Sequence, residues 1–295
     1  MSGLLPLSHL LPIFLLQAFH TWGLEIEVNL KKQQAVFLHC SFRTGSSLLG
    51  ELFNNNPKSF YVFEPLIGAP PERYTHVLED IVNTCSSKYW GLMDRSNSFK
   101  DNSTVFSNCL FSKLLVIKTI RVREVRQLLT LTLWRHQTRV IHLVRDPRGV
   151  LYSRLRYPRL HSGGMVFDSS VAGVEEAAAM YCEQGVRDAR FLRSLSQRET
   201  LQVKFEDLAT KTGEVADYIY TFLGELTPTE ITLWLARLNS PGTKDPSWRS
   251  TKQDPDKVLR KWRSGLSNEQ ICVIERSCEE FLKMFGYERN CLREQ

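Results

Sequence analysis

The sequence has no charged side chain before Glu25, no Cys-x-x-Cys pair, no internal repeat and no low-complexity linker. The missing repeat excludes an array of stacked units. The missing linker, with no clear break in composition after residue 30, points to one folded body rather than two tethered ones. Its 295 residues, 42% of them hydrophobic, suffice for a sizeable core. Seven cysteines without Cys/His clustering give no zinc-ribbon or zinc-finger spacing. The formal charge of +6 is modest for a nucleic-acid binder. It fits smaller anionic partners such as phosphorylated cofactors, sulfated glycans or membrane headgroups, and equally an ordinary basic surface.

The uncharged start is a nearly continuous apolar run, LLPLSHLLPIFLLQAF, long enough to cross a bilayer but interrupted by His9, Gln17 and two prolines. Residues 1–24 read as an uncleaved signal-anchor, or else as a signal peptide, although a positive n-region is absent and no small-x-small cleavage site stands out. Residues 25–34 then form a short stem, and 35–295 a body in the secretory lumen. In that oxidising compartment some of the seven cysteines pair and an odd one is left over. Cys40, inside an apolar run, is expected to be the free, buried thiol. Cys272 and Cys278 lie six apart in a helical pattern, point in different directions and are not expected to pair with each other. Asn102-Ser103-Thr104 is a glycosylation sequon in a polar stretch from Ser96 to Ser107 that reads as a loop.

Strand and helix patterns alternate along the chain. Strands are predicted at Ala35 to Cys40, Phe60 to Phe63, Leu114 to Ile120, Val140 to Val144 and Leu201 to Phe205. Helical patterns run from Ser46 to Phe53, Tyr74 to Val82, Arg123 to Leu133, Gly149 to Leu155, Val174 to Leu195 and Val215 to Leu223. This order predicts an α/β fold of three layers, with a mostly parallel sheet flanked by helices. Ligands of such sheets bind at the carboxyl ends of the strands.

Two strand-to-helix loops carry anion-binding chemistry. SFRTGSS, Ser41 to Ser47, follows the first strand. A helix start offers unpaired N–H groups and a favourable dipole. Gly45 lets backbone approach a ligand, Thr44, Ser46 and Ser47 supply hydroxyls, and Arg43 supplies a cationic fork. The loop lacks the Gly-Lys-Ser/Thr ending of a nucleotide triphosphatase. Alone, it also reads as a capped helix behind a tight turn. VIHLVRDPRGVLYSR places Arg145 at the end of the fourth strand, Asp146 as a cap, Pro147 at the helix start and Ser153 about two turns on. Arg145 and Ser153 suit a second anion; the alternative is a surface ion pair of Arg145 with Asp146.

These loops, with FYVFEP, VKFEDLA, YIYTFLG, KWRSGLS and IERSCEEFLKMFGYE following in order, resemble the Golgi carbohydrate sulfotransferases over roughly residues 35 to 290. The similarity is greatest to the group acting on the 6-hydroxyl of N-acetylglucosamine, galactose or N-acetylgalactosamine. The resemblance implies a P-loop-like fold and the co-substrate 3′-phosphoadenosine-5′-phosphosulfate (PAPS). Arg43, Thr44, Gly45, Ser46 and Ser47 match the family's loop around the 5′-phosphosulfate, and Arg145 and Ser153 match its pair at the 3′-phosphate. No metal is expected, because a sulfuryl group carries less charge than a phosphoryl group. The implied acceptor is a glycan and the implied location the Golgi membrane, single-pass type II, with the catalytic body lumenal.

Arg43 is the expected stabiliser of charge on the leaving phosphate. Glu64, at the end of the second strand, is the candidate base for the sugar hydroxyl, or else a structural carboxylate before Pro65. Lys118 and Arg121 end the third strand, near donor or acceptor or simply solvated. Arg154, Arg156, Arg159 and His161 read as a basic loop beside the site, Glu206 and Asp207 as helix caps, and His39 and His142 as satisfied core residues. Arg249, Lys252 and Arg263 are candidates for nucleotide contact by family position. Ile271, Ile274, Cys278, Phe281 and Phe285 repeat as core. A P-loop kinase, a sulfotransferase for a small alcohol or phenol, and a non-catalytic glycan-binding member are the rival readings.

Overall fold

The structure, a computed structural model, describes residues 33–86, 95–99, 104–130, 137–156, 168–239 and 255–291. In β1 (Gln34–Cys40), Ala35 and Phe37 enter the core on one side of the sheet, and Val36, Leu38 and Cys40 that on the other. A strand apolar on both sides has to be covered on both, and helices do this here. After β1 come α1 (Ser46–Asn54), β2 (Ser59–Phe63), α2 (Tyr74–Thr84), α3 (Val105–Phe111), β3 (Leu114–Thr119) and α4 (Val125–Thr130). The second half holds β4 (Gln137–Val144), α5 (Pro147–Arg156), α6 (Val171–Arg193), β5 (Thr200–Lys204), α7 (Phe205–Thr210) and α8 (Thr212–Phe222). It ends with α9 (Thr229–Asn239), α10 (Pro255–Gly265), α11 (Asn268–Ser277) and α12 (Glu279–Phe285).

The five strands form one sheet in the order β2-β3-β1-β4-β5, and every pairing is parallel. From β1 the chain crosses to the edge at β2, returns to β3, and then passes to the other side of β1 for β4. The direction of winding therefore reverses around β1. In open α/β sheets the crevice at such a reversal, at the strands' carboxyl ends, is where ligands bind. The loop after β1 and the segment after β4 are the two that meet there. Helices α1, α8 and α9 pack on the Val36/Leu38 side, and α2, α3 and α4 on the Phe37 side. A third apolar cluster joins α5 and α6 to α10, α11 and α12.

The five strands and the parallel sheet predicted from the sequence are present, with no end shifted by more than three residues. Helices α3, α9 and α10 have no counterpart in the sequence reading. Phe205 opens a helix instead of closing the fifth strand. Disulfides Cys85–Cys109, Cys182–Cys278 and Cys272–Cys291 leave Cys40 as the free, buried cysteine, and Cys272 and Cys278 take different partners as expected. Among the described residues no helix is long and apolar enough to cross a membrane. The apolar run 1–24 lies outside them, as do Asn102 and Ser103 of the sequon.

Candidate active site at the ends of β1 and β4

The loop after β1 turns tightly. Thr44 is buried and donates to the Ser41 carbonyl twice, from its N–H at 3.3 Å and its hydroxyl at 2.7 Å. Arg43 (φ 70°) and Gly45 (φ 92°) both occupy the left-handed region. At Gly45 only glycine fits. A Cβ there would stand 2.1 Å from Cδ2 of Phe205, so the loop backbone lies directly on that ring. Helix α1 starts at Ser46 without a side-chain cap, which leaves the N–H groups of its first turn for an anion. Ser46 is buried and Ser47 half-buried.

Arg43 reaches across to the second segment: its Nε donates to Ser153 Oγ at 2.9 Å. In return Arg145 Nη1 donates to the Arg43 carbonyl at 3.0 Å. The two arginines proposed for separate anions thus brace one another's loops. The Arg145 guanidinium lies 4.3 Å from the Phe205 ring centroid, and Gly149 leaves it room, since a Cβ there would come within 3.1 Å of its Nε. Arg145 is 8% exposed, and among the described residues no carboxylate pairs with it. Burial pushes its guanidinium down from the ordinary arginine value, against the opposing pull of Glu206. A buried cation with most of its five donors unspent is arranged for an anionic ligand.

Asp146 does not pair with Arg145, which corrects the ion pair offered as the alternative. It caps α5, accepting from the Arg148 N–H at 2.9 Å, and it takes the Arg148 guanidinium through both oxygens. Arg148 in turn reaches Glu275 at 2.6 Å and stacks 4.2 Å from the Trp262 ring centroid. The Asp146 N–H donates to Glu206, whose other oxygen accepts from Tyr287. One hydroxyl, that of Tyr181, donates to the Arg145 carbonyl and accepts from its N–H.

Glu64 stands apart from this pair of loops, at the end of β2. It is 2% exposed, and its backbone (φ 53°) is left-handed as at Arg43. Lys118 Nζ and Arg121 Nη1 each reach one of its oxygens at 2.5 Å. Lys118 is itself buried over the Phe63 ring, so it is not a solvated strand end. Lys118 lies opposite Leu38 in the sheet register, which places the pair beside the end of β1, and burial pushes the thiol of Cys40 there up to about 12.

Several sequence expectations change here. Arg154 is no part of a solvated face: it donates to the Phe42 carbonyl, lies 5.5 Å from the Tyr181 ring centroid, and burial pushes its value down to about 10. Arg156 is exposed at the end of α5. Arg159, His161, Arg249 and Lys252 lie outside the described residues. Arg263 is exposed, bonded to Asn290 and stacked beside Trp262. Glu206 is more than a cap, since it holds the start of the β4 segment. His39 bonds Asp188, yet His39 and His142 each keep a buried Nδ1 without a partner, so "satisfied" described them only in part. Tyr181, Arg148 and Glu275 were missed. Arg148 lies within the motif itself, but nothing in the sequence ties it to residues over a hundred positions away.

A parallel α/β sheet with two interlocked cationic loops at its reversal point is an arrangement suited to an anionic ligand. The family model described as "Sulfotransferase domain" matches residues 33–286, and the chain belongs to that family. It is accordingly a sulfotransferase. Carbohydrate sulfotransferase 3 of Tetronarce californica is 24% identical, with 89% of this chain and 74% of that protein covered. Carbohydrate sulfotransferase 1 of Mus musculus is also 24% identical, covering 90% and 82%. Among solved structures, the sulfotransferase domain of the Synechococcus PCC 7002 olefin synthase superposes with a TM-score of 0.54 at 19% identity, covering 88% of this chain and 96% of that one. Mouse sulfotransferase SULT7A1, complexed with PAP, gives 0.52 at 13% identity, covering 90% and 94%.

Proposed function

We propose that the protein is a carbohydrate sulfotransferase of the Golgi lumen, anchored by residues 1–24, which sulfates the 6-hydroxyl of N-acetylglucosamine, galactose or N-acetylgalactosamine in a glycan. The reading rests above all on Arg145, a buried guanidinium without a carboxylate partner among the described residues, interlocked with the Arg43 loop. That arrangement fits a donor with anionic groups at two separated points. The relatives named as carbohydrate sulfotransferases support a sugar acceptor.

In this reading Thr44, Gly45, Ser46 and Ser47 hold the 5′-phosphosulfate with Arg43, while Arg145 and Ser153 hold the 3′-phosphate. When bound, PAPS supplies a sulfuryl group whose bond to the phosphate oxygen breaks as a bond to the sugar oxygen forms. Arg43 stabilises the charge left on the phosphate. Glu64 takes the hydroxyl proton, and its contacts with Lys118 and Arg121 fix the carboxylate in place. Catalysis is then mainly positioning and charge stabilisation, with no metal called for at the transfer step.

The test is incubation of the full-length protein with sulfate-labelled PAPS and a panel of defined glycans ending in each of the three sugars, with Arg43→Ala as control. Label at a 6-hydroxyl, lost in the control, is the expected result. No transfer and no donor binding would overturn the enzymatic role. Transfer to a phenol but to no sugar would assign the acceptor to small alcohols.

A further inference from the structure

Below the two loops lies a cluster that sulfuryl transfer does not use. His39 in β1 and His142 in β4 are directly opposite in the parallel register, so both side chains leave the same face of the sheet. Their ring centroids are 5.4 Å apart. Asp188, from α6, closes the third side, its Oδ2 2.9 Å from His39 Nε2. All three are more than nine-tenths buried. One potential ligand atom from each residue lies within 4.8 Å of the other two.

Two observations point to an occupant. First, Nδ1 of His142 is buried and without a hydrogen-bond partner among the described residues, while on His39 the nitrogen facing Asp188 is Nε2. A polar atom taken from water is costly unless paired, and few are left so in a well-packed interior. Second, the carboxylate is held from behind. Asp188 Oδ1 accepts from the Val125 N–H at 3.2 Å and from Gln184 Nε2 at 3.0 Å, leaving Oδ2 turned toward the imidazoles. Metal ligands are commonly oriented in this way by outer hydrogen bonds.

We propose that His39, His142 and Asp188 bind one divalent transition cation of the zinc class, each giving one ligand atom. Imidazole nitrogens select such a cation over magnesium or calcium, which take oxygen ligands. Three protein ligands leave one position of a tetrahedral site for water. Cys40, next to His39 in β1, sends its side chain to the opposite face and is not a ligand. The cation joins β1, β4 and α6 under the sheet's reversal point. Its role is to pin the two strands that carry the Arg43 and Arg145 loops, and it takes no part in the transfer itself.

The measurement is metal analysis of the full-length protein secreted by cells and purified without chelator, then of the same protein produced in cobalt-supplemented medium. About one zinc per chain is expected, and a cobalt form whose visible bands are those of a four-coordinate nitrogen and oxygen site without thiolate-to-cobalt absorption. His39→Phe and His142→Phe, which fill the ring volumes without a ligand atom, are expected to fold and to lose the metal. Folded wild-type protein with no bound metal, its imidazoles bridged by water alone, would overturn the proposal. So would metal retained by both variants. Should the variants not fold, the wild-type cobalt spectrum decides: thiolate absorption, or the weak bands of six-coordinate cobalt, would reject the site.

Discussion

Arg43 combines a candidate catalytic role with a backbone that arginine disfavours, and substitution with glycine separates the two. The left-handed region costs a non-glycine residue about 1–2 kcal/mol, and φ at Arg43 is 70°. Glycine relieves this but adds freedom to the unfolded chain, worth about 0.4–1 kcal/mol. It also removes the hydrogen bond from Nε to Ser153, worth about 0.5–1.5 kcal/mol at most in this half-buried setting. The carbonyl that accepts from Arg145 remains. The terms nearly cancel, so Arg43→Gly is expected to melt within about 2–4 °C of the parent protein. Arg43→Ala loses the same hydrogen bond and keeps the backbone cost. It is therefore less stable than the glycine variant by about 0.5–1 kcal/mol, the reverse of the usual order of these residues. Sulfate transfer falls about 10²–10³-fold in both, mainly in kcat, as on removal of one charge-stabilising donor. Thermal melts and labelled-sulfate kinetics on the three proteins supply the comparison. An alanine variant that melts above the glycine variant, or either variant within tenfold of parent activity, would refute the reasoning.

Glu64→Gln should lower kcat about 10²–10⁴-fold if Glu64 takes the proton. It should also lower the melting temperature, because breaking a buried ion pair costs up to about 3–5 kcal/mol; unchanged kcat would remove Glu64 from the chemistry. Burial raises the Glu275 carboxyl, but the N–H groups of Cys291 and Asn290 and the Arg148 guanidinium outweigh it and hold the group below its ordinary value of 4.5. A carboxyl lowered in the folded state stabilises fully above its unfolded pKa and loses that contribution as pH falls through the folded one. The urea midpoint of the parent should therefore fall below about pH 4.5, and that of Glu275→Gln should fall less; parallel curves would show no such linkage. With three disulfides and a thiol pushed up to about 12, the native protein should show no thiol reactive toward an aromatic disulfide at neutral pH, and one per chain after denaturation. Two or more would mean that a disulfide is missing.

Most strands were legible as short apolar runs closed by polar residues or proline, and β1, β2 and β3 are buried on both faces, whereas the edge strand β5 exposes Gln202. The strand-to-helix loop after β1 was legible because glycine and hydroxyls follow the strand within seven residues. What sequence left hidden is contact across long separations. Tyr181 bonds both sides of Arg145 from the middle of a 23-residue helix, where nothing in its neighbours sets it apart from an ordinary core tyrosine. His39 and His142 looked alike as core residues, and only the register of β1 with β4 sets them opposite one another. Helices α3 and α9 were missed because their apolar residues do not form one buried stripe; Leu233 in α9, for example, is mostly exposed. Phe106 and Phe111 in α3 are largely solvent-facing, so the pattern lacked a continuous stripe. Arg154 was misread because a run of arginines suggests a wet surface, whereas the turn of α5 carries this one under Tyr181.

The segment after β4 is held from the far end of the chain, and the contacts show why. Arg148 is shared between Asp146 and Glu275, and Glu275 also receives the N–H groups of Asn290 and Cys291, next to the Cys272–Cys291 disulfide. Tyr287 reaches Glu206, which takes the Asp146 N–H. Buried charges of this kind are weak sources of net stability, because desolvation offsets most of their attraction. Their contribution here is geometric. With Asp146 held on its backbone side by Glu206 and on its side chain by Arg148, the first turn of α5 has one orientation. Ser153, about two turns later, is then set where Arg43 meets it. An apolar replacement of the Arg148–Glu275 pair can match its energy but would not fix that orientation, so the network serves the geometry of the two loops more than folding.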